Sequence, residues 1–167
     1  MRSNFLLLFI FFWVTNTIAG QKLRAGQVFE DGIIAHVNKD GKSGLLVTEY
    51  NLLNSAITWN EAAKTCNEIG SWSGLNVKWR LPTCQEMQLV YQNLYLTNLL
   101  EFALVPEMNI TGARFWVTNR DQKYNRPQQF DFEHGTCDIV FYSDPDSELL
   151  HMGTHYWARA VRSFKTN

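Results

Sequence analysis

Apolar and polar positions divide the start of the chain into two apolar segments joined by a polar turn. Residues 28–37 and 45–48 are rich in apolar and β-branched side chains, whereas residues 38–44 between them contain Asn, Asp and Gly. Two such segments around a turn-forming cluster predict a β-hairpin. The dipeptide Asp40-Gly41 is the expected turn.

Two Thr-x-x-Glu sequences mark the starts of two predicted helices. In this motif the Thr hydroxyl accepts from the Glu amide, and the Glu side chain reaches back to the Thr amide. The first helix starts at Thr58, carries an apolar stripe of 3.6-residue period and is expected to end at Gly70. The second starts at Thr83, directly after Pro82. Its predicted buried face consists of Met87, Val90, Tyr91 and Leu94.

After Pro106 apolar and polar residues alternate, and this period of two predicts strands. Polar loops that contain Gly or Pro separate these segments. The predicted strands cover residues 115–118, 129–132, 137–142 and 156–162. A hairpin, two helices and then a series of antiparallel strands is an α+β order, not the alternating order of a parallel sheet.

The N-terminus has the layout of a secretory signal peptide. Arg2 provides the charged start, residues 5–14 are apolar, and a small-residue cleavage site ends at Ala19. An apolar segment of about ten residues falls short of the roughly 20 needed to span a bilayer. We therefore expect residues 1–19 to be removed. The mature domain, residues 20–167, is expected to be secreted to the periplasm, the outer surface or the medium, with no membrane span.

Size and charge limit the class of protein. The mature chain has the length of one ordinary domain, which can bury a substantial core. The full chain is nearly balanced in charge, with 15 Lys and Arg against 16 Asp and Glu, and no basic cluster supports a nucleic-acid partner. Six Trp fit either a compact β-rich core or a face on which sugar rings stack, and composition does not choose between the two.

Three cysteines bear on the redox state of the domain: Cys66, Cys84 and Cys137. Export permits disulfides, but an odd count leaves at least one thiol free or paired between chains. Spacing does not select among the three pairings. Because Cys66 falls on the predicted buried face of the first helix, we expect it to be a small buried hydrophobe. That leaves a Cys84–Cys137 bridge as the preferred pairing.

Several sequence blocks occur together in a recognisable order. They are residues 32–37, Gly41, Gly44-Leu45, Ala62-Ala63 with Cys66, Trp79-Arg80-Leu81-Pro82-Thr83 with Glu86-Met87, residues 91–94, Phe115-Trp116, and the closing Arg159-Ala160-Val161-Arg162-Ser163-Phe164. In this order they resemble the Lcl C-terminal-type domain, a bacterial family long classed as a domain of unknown function. The resemblance extends from about residue 26 to residue 164.

The resemblance implies a C-type-lectin-like fold, in which two helices flank small twisted antiparallel sheets and the terminal strands lie side by side. Relatives include surface adhesins whose domain binds sulfated polysaccharides and helps the protein to trimerise. A glycan, a surface protein or further copies of the chain are therefore the implied partners. Two departures stand out: Trp116-Val117-Thr118 replaces a common Trp-Ser-Ser, and the last strand lacks the Cys of the usual helix-to-strand disulfide.

The matched blocks contain residues for which we expect structural roles. An Arg beside a small sheet usually forms a bidentate fork with a carboxylate, here Glu86 or Asp131, and so orders the fold. The residues in this group are Trp79, Arg80, Arg159 and Arg162.

Recognition is expected in the variable loops, residues 119–128 and 143–153, because rigid scaffolds place binding residues on loops. Aromatic rings there can stack on a ligand, and arginines can take its anionic groups. The predicted ligand-binding residues are Trp116, Arg120, Tyr124, Arg126 and Tyr142. We expect no cofactor and no catalytic residue.

Two groups of polar residues have the ligand types of a metal site but also fit solvated turns. Asn119, Asp121 and Asn125 with Asp144 and Asp146 have the oxygen ligands that Ca²⁺ prefers, but the Glu-Pro-Asn and Trp-Asn-Asp tripeptides of calcium-dependent sugar binders are absent. The sequence His134-x-x-Cys137 followed by His151-x-x-x-His155 has metal-ligand spacing. Met152-Gly153-Thr154 is a poor helix, however, so the last two imidazoles are not expected to align. We predict no metal.

Two other function classes remain as alternatives to a binding module. The chain could instead be a structural or oligomerising envelope protein that docks on its own copies or on a neighbour. It could also be a metal- or thiol-dependent enzyme, with Cys84 at a helix start as the candidate nucleophile.

Overall fold

The computed structural model describes residues 22–53, 55–72, 77–99, 114–120, 122–123, 125–140 and 155–166. The predicted signal peptide at residues 1–19 lies outside them, as do Tyr124, Tyr142 and the whole loop 143–153. Within this part the protein is α+β, with two helices and two small antiparallel sheets, as the order of the segments predicted.

The first sheet contains the predicted hairpin and the C-terminal strand. Its strands are β1 Val28–Phe29, β2 Gly32–Val37, β3 Ser43–Val47 and β7 Val161–Lys165, in the order β1-β2-β3-β7. The turn between β2 and β3 contains Gly41 at φ +68°, and the Asp40 carboxylate accepts from the amides of Lys42 and Ser43. The C-terminal strand therefore lies beside the N-terminal hairpin, through β3.

Both predicted helix starts are confirmed. The first helix, α1, spans Trp59–Trp72, and Thr58 and Glu61 exchange the expected capping hydrogen bonds. The prediction that Gly70 ends α1 is wrong, because the helix continues for two more residues. Glycine permits a left-handed helix end but does not impose one.

The second helix, α2, spans Cys84–Val90 and has a complete capping box between Thr83 and Glu86. It continues into a π-helical turn, Tyr91–Tyr95, which the 3.6-residue pattern did not predict. Within the predicted face, Met87, Val90 and Leu94 are buried, and Tyr91 is half-buried.

The second sheet consists of β4 Arg114–Arg120, β5 Pro127–Asp131 and β6 Thr136–Ile139, in the order β4-β5-β6. The last predicted strand begins later than expected, at Val161 instead of residue 156. Tyr156 and Trp157 form only isolated bridges, to Ile57 and Phe115, because the chain crosses here from the second sheet to the first.

The core has two clusters of buried side chains, and strands β2 and β3 contribute to both. Ile33 and Val47 belong to one cluster, whereas Ile34 and Leu46 belong to the other. Burial on both faces explains why these strands are continuously apolar instead of alternating.

Gly44 lies where β3 approaches β2 and β7 most closely. A Cβ at this position would lie 2.0 Å from the carbonyl oxygen of His36 and 2.7 Å from the Phe164 ring.

We expect Gly44→Ala to lower the free energy of unfolding by about 1–3 kcal/mol or more, because the backbone must move to admit the methyl group. Urea denaturation measures the change. The exposed Ser163→Ala on β7 is the control, expected within about 0.5 kcal/mol of wild type. Unchanged stability of Gly44→Ala would show that β2 moves away freely.

Candidate functional site

The outer end of the β4–β5 hairpin carries an exposed arginine that is stacked on an indole. Arg120 is the last residue of β4 and pairs with Pro127 of β5. Its guanidinium carbon lies 4.2 Å from the centroid of the Trp59 ring, at the first position of α1. This is a cation–π contact, which holds the plane of the guanidinium against the ring.

A second contact fixes the same guanidinium. The Nη1 atom of Arg120 donates to the carbonyl oxygen of Asn125 at 2.9 Å, and Asn125 has φ +53°, a conformation that Asn tolerates better than most residues. Among the residues that the structure describes, no acceptor binds Nε or Nη2 of Arg120. One edge of a positioned guanidinium is therefore available to a planar oxyanion.

Groups outside the sheet hold the segment of β4 that precedes Arg120. The indole Nε1 of Trp59 donates to the carbonyl oxygen of Val117 at 2.8 Å. The amide of Thr118 donates to the carbonyl oxygen of Pro82 at 2.8 Å, and the Asn119 side chain accepts from the amide of Cys84 at 2.8 Å. The outer half of β4 is thus tied to the starts of both helices.

The prediction that Trp116 binds ligand is wrong for this fold. Its side chain is 1% exposed, and its Nε1 donates to the carbonyl oxygen of Ile57 at 2.6 Å. Both faces of β4 are covered at residues 115–117, and the Trp116 ring lies in the second core cluster, 4.7 Å from that of Tyr156. Arg126, also predicted, is half-buried and already engaged in a contact. Tyr124 and Tyr142 lie outside the described residues.

Sequence reasoning missed Trp59, although a signal was present. Trp59 follows the capping Thr58 at the first helical position, and its i, i+3, i+7 spacing puts it on the same apolar stripe as Ala62 and Cys66. The stripe therefore indicated that the indole packs against other elements of the domain. Which partner it meets depends on how the hairpin folds over α1.

The predicted Arg80–Glu86 fork is present. Nη1 and Nη2 of Arg80 donate to the two carboxylate oxygens of Glu86 at 2.7 and 2.5 Å, and Glu86 also accepts from the Thr83 amide. The hydrogen bonds that Arg80 donates to Glu86 raise the pKa of Arg80. Burial favours a higher pKa for Glu86, but the hydrogen bonds outweigh it and hold this pKa below its usual range. The fork locks the start of α2.

Arg162 and Trp79 also have the expected structural roles, with acids other than those predicted. The buried Arg162 guanidinium donates to the carboxylates of Asp31 and Glu30. It lies 5.3 Å from the centroid of the Trp79 ring, and Trp79 Nε1 donates to Asp31 at 3.2 Å. The group joins β7, the β1–β2 turn and the segment before α2.

Arg159 differs from the predicted carboxylate fork. It is 1% exposed and donates to the carbonyl oxygens of Thr48 and Glu49 at 3.1 and 2.8 Å, and to the Asn51 side chain at 3.0 Å. Burial lowers the pKa of Arg159 to about 10. The side chain therefore anchors the loop that leaves β3.

Asp131 is the centre of a compact polar turn after β5. One carboxylate oxygen accepts from the amides of Glu133 and His134, and the other lies 3.5 Å from Arg114 Nε and 3.3 Å from His134 Nδ1. Oxygen and nitrogen atoms of Asp131, Glu133 and His134 lie within 4.8 Å of one another. The carboxylate of Asp131 is already fully engaged, and the charge of Arg114 opposes a cation, so this turn is structural.

The predicted Cys84–Cys137 disulfide is present, with a Cα–Cα distance of 6.0 Å, and Cys66 is free and buried. Burial raises the pKa of the Cys66 thiol to about 12, so it stays protonated at neutral pH. In this state Cys84 is not a nucleophile, and Cys137 is not a metal ligand beside His134. The Asn119 oxygen, considered for calcium, is occupied by the Cys84 amide.

The described helices include none that combines the length and apolar character needed to cross a bilayer. Among the described residues, the exposed Arg120 stacked on Trp59 is the group best placed to bind a ligand. It lies at the outer end of the β4–β5 hairpin. A scan against protein-family models and a search of curated proteins find no match to this chain.

Proposed function

We propose that this chain is an exported, non-catalytic binding module that recognises a carbohydrate or another cell-surface ligand through the outer end of the β4–β5 hairpin. The observation that carries the proposal is Arg120, stacked on Trp59 and bonded to Asn125, with no acceptor at its Nε or Nη2 among the described residues. We also propose a C-type-lectin-like fold and membership of the Lcl C-terminal-type family, which the α+β order and the quoted sequence blocks support.

The chemistry of the site favours an anionic group on the ligand. A guanidinium with a fixed plane loses little conformational entropy when it binds a carboxylate or sulfate with two parallel hydrogen bonds. One face of Trp59 is covered by Arg120, so the outer face of the guanidinium, not the indole, meets the ligand. In a saccharide that bears a carboxylate or sulfate, the anionic group can bind the edge of the Arg120 guanidinium. The sugar ring can then lie against its outer face.

The rest of the described structure supports binding over thiol chemistry. Cys84 is held in a disulfide and the Cys66 thiol is buried. The buried arginines instead brace the framework that presents the loops, which is how rigid scaffolds support recognition.

We expect Arg120→Ala to weaken binding to carboxylated or sulfated glycans on an array by about tenfold or more, because one bidentate charge-assisted contact is lost. Arg120→Lys keeps the charge but not the planar fork, and we expect an intermediate loss. The Arg24→Ala variant removes an exposed Arg outside the hairpin and serves as the control, with binding unchanged. Array signals that are equal for wild type and Arg120→Ala, or no signal for the wild type at high concentration, would refute the proposal.

A structural or oligomerising role is the second candidate, favoured by exposed apolar side chains. Leu96 and Leu99, after the π-helical turn, are 59% and 51% exposed, and Tyr50 is 73% exposed. Exposed apolar groups of this size often mark contacts with other proteins. A stable trimer in light scattering, with no glycan affinity, would favour this role over the first.

A further inference from the structure

The β4–β5 hairpin is poorly held by its own ladder near the site. Trp116 pairs with Gln129 and Arg120 pairs with Pro127, but the register shifts between these pairs. Residues 117–119 therefore lack regular partners on β5. A segment of this kind depends on anchors from other elements, and its local opening free energy is set by them.

Two of the anchors come from the start of α2. The Pro82 carbonyl accepts from the Thr118 amide, and the Cys84 amide donates to the Asn119 side chain. Cys84 is also covalently bonded to Cys137 of β6, which pairs with Phe130 of β5. The disulfide thus clamps the start of α2 to the sheet that carries Arg120.

We infer that the Cys84–Cys137 disulfide is a redox-sensitive clamp that orders the Arg120 hairpin. Both cysteines are half-buried, and a small dithiol is the reductant that tests the bond. The reductant supplies two electrons and two protons, the S–S bond breaks to give two thiols, and the reductant becomes a disulfide. The start of α2 is then free to separate from residues 117–120. The use of this clamp to control ligand binding rests on the proposed function.

Residue-resolved amide hydrogen exchange of the full mature chain, without ligand, tests the clamp. On reduction we expect exchange of the Thr118 and Cys84 amides to accelerate by about tenfold or more, because their acceptors move away. The amides of Met87 and Val161, which bond to Thr83 and Arg80, should keep their oxidised rates.

The variant Cys84→Ser with Cys137→Ser should reproduce the reduced pattern without reductant. Cys66→Ala keeps the disulfide and should match wild type in both redox states. Unchanged exchange of Thr118 on reduction would overturn the inference. Equal acceleration at Met87 and Val161 would also overturn it, because the disulfide would then stabilise the whole domain and not the hairpin.

Glycan affinity is measured separately in the two redox states. Weaker binding of the reduced form, with the exchange pattern above, supports control of the site by the clamp. Equal binding in both states refutes that control. Local loosening in a protein that binds no glycan in either state leaves the clamp standing and removes the proposed function.

Discussion

Replacing Trp116 with alanine is expected to lower the free energy of unfolding by about 3–5 kcal/mol, one of the largest single-residue effects in this domain. The indole is 1% exposed and packs near Tyr156 in the second core cluster. Truncation would leave a cavity and remove one of the two hydrogen bonds that the Ile57 carbonyl oxygen accepts, because the bond from the Tyr156 amide stays. Urea denaturation followed by circular dichroism measures the loss.

The matched variant is Trp116→Phe, which keeps an aromatic ring but removes the N–H donor. The Ile57 carbonyl keeps its bond from the Tyr156 amide, so the lost hydrogen bond costs about 0.5–1.5 kcal/mol and this variant should fall between wild type and Trp116→Ala. Wild-type stability of Trp116→Ala, together with lost glycan binding, would contradict the buried placement and restore Trp116 as a ligand residue.

Arg162→Met is the second change with a large expected effect, a loss of about 1–3 kcal/mol. The guanidinium is buried between Asp31 and Glu30 and lies over Trp79. Methionine preserves much of the side-chain volume, so the loss comes mainly from a carboxylate left without its cation in a partly desolvated position. Urea denaturation at neutral pH reports this loss.

A double variant separates the uncompensated charge from simple loss of packing. Asp31→Asn keeps an acceptor for the Trp79 indole while removing the charge, so it should recover part of the stability that Arg162→Met loses. Exposed Lys165→Met on the same strand is the control and should change stability by less than about 0.5 kcal/mol. Strictly additive effects of Arg162→Met and Asp31→Asn would contradict the ion-pair explanation.

The candidate site shows how far loop position alone can predict function. Arg120 was predicted from its place in a variable loop, and the structure puts it on the surface. Trp116 was included because it is aromatic and close in sequence, but β4 is covered on both faces at residues 115–117. Its burial follows from how other elements pack on the two sides of the strand, and residue types near a turn do not specify that.

Trp59 shows the opposite case. It lies 61 positions from Arg120 in the sequence, and no local pattern relates the two residues. Their contact exists because the hairpin end folds over the start of α1, where the indole Nε1 also binds the Val117 carbonyl. Long-range stacking of this kind requires the arrangement of three elements at once.

The sequence alone determined the local features. The two Thr-x-x-Glu motifs placed both helix starts, Asp40-Gly41 placed the hairpin turn, and period-two alternation placed the late strands, because capping, turn geometry and pleating are properties of short segments. The order of these segments also determined the α+β class.

Only the tertiary structure decided which groups meet. Three pairings were open for the cysteines, and proximity of the start of α2 to β6 selects Cys84 with Cys137. Arg162 binds Asp31 and Glu30 instead of the expected Glu86 or Asp131. Arg159 donates to backbone carbonyl oxygens. The physical reason is that side-chain partners depend on how sheets and helices pack, and packing joins residues that are distant in the chain.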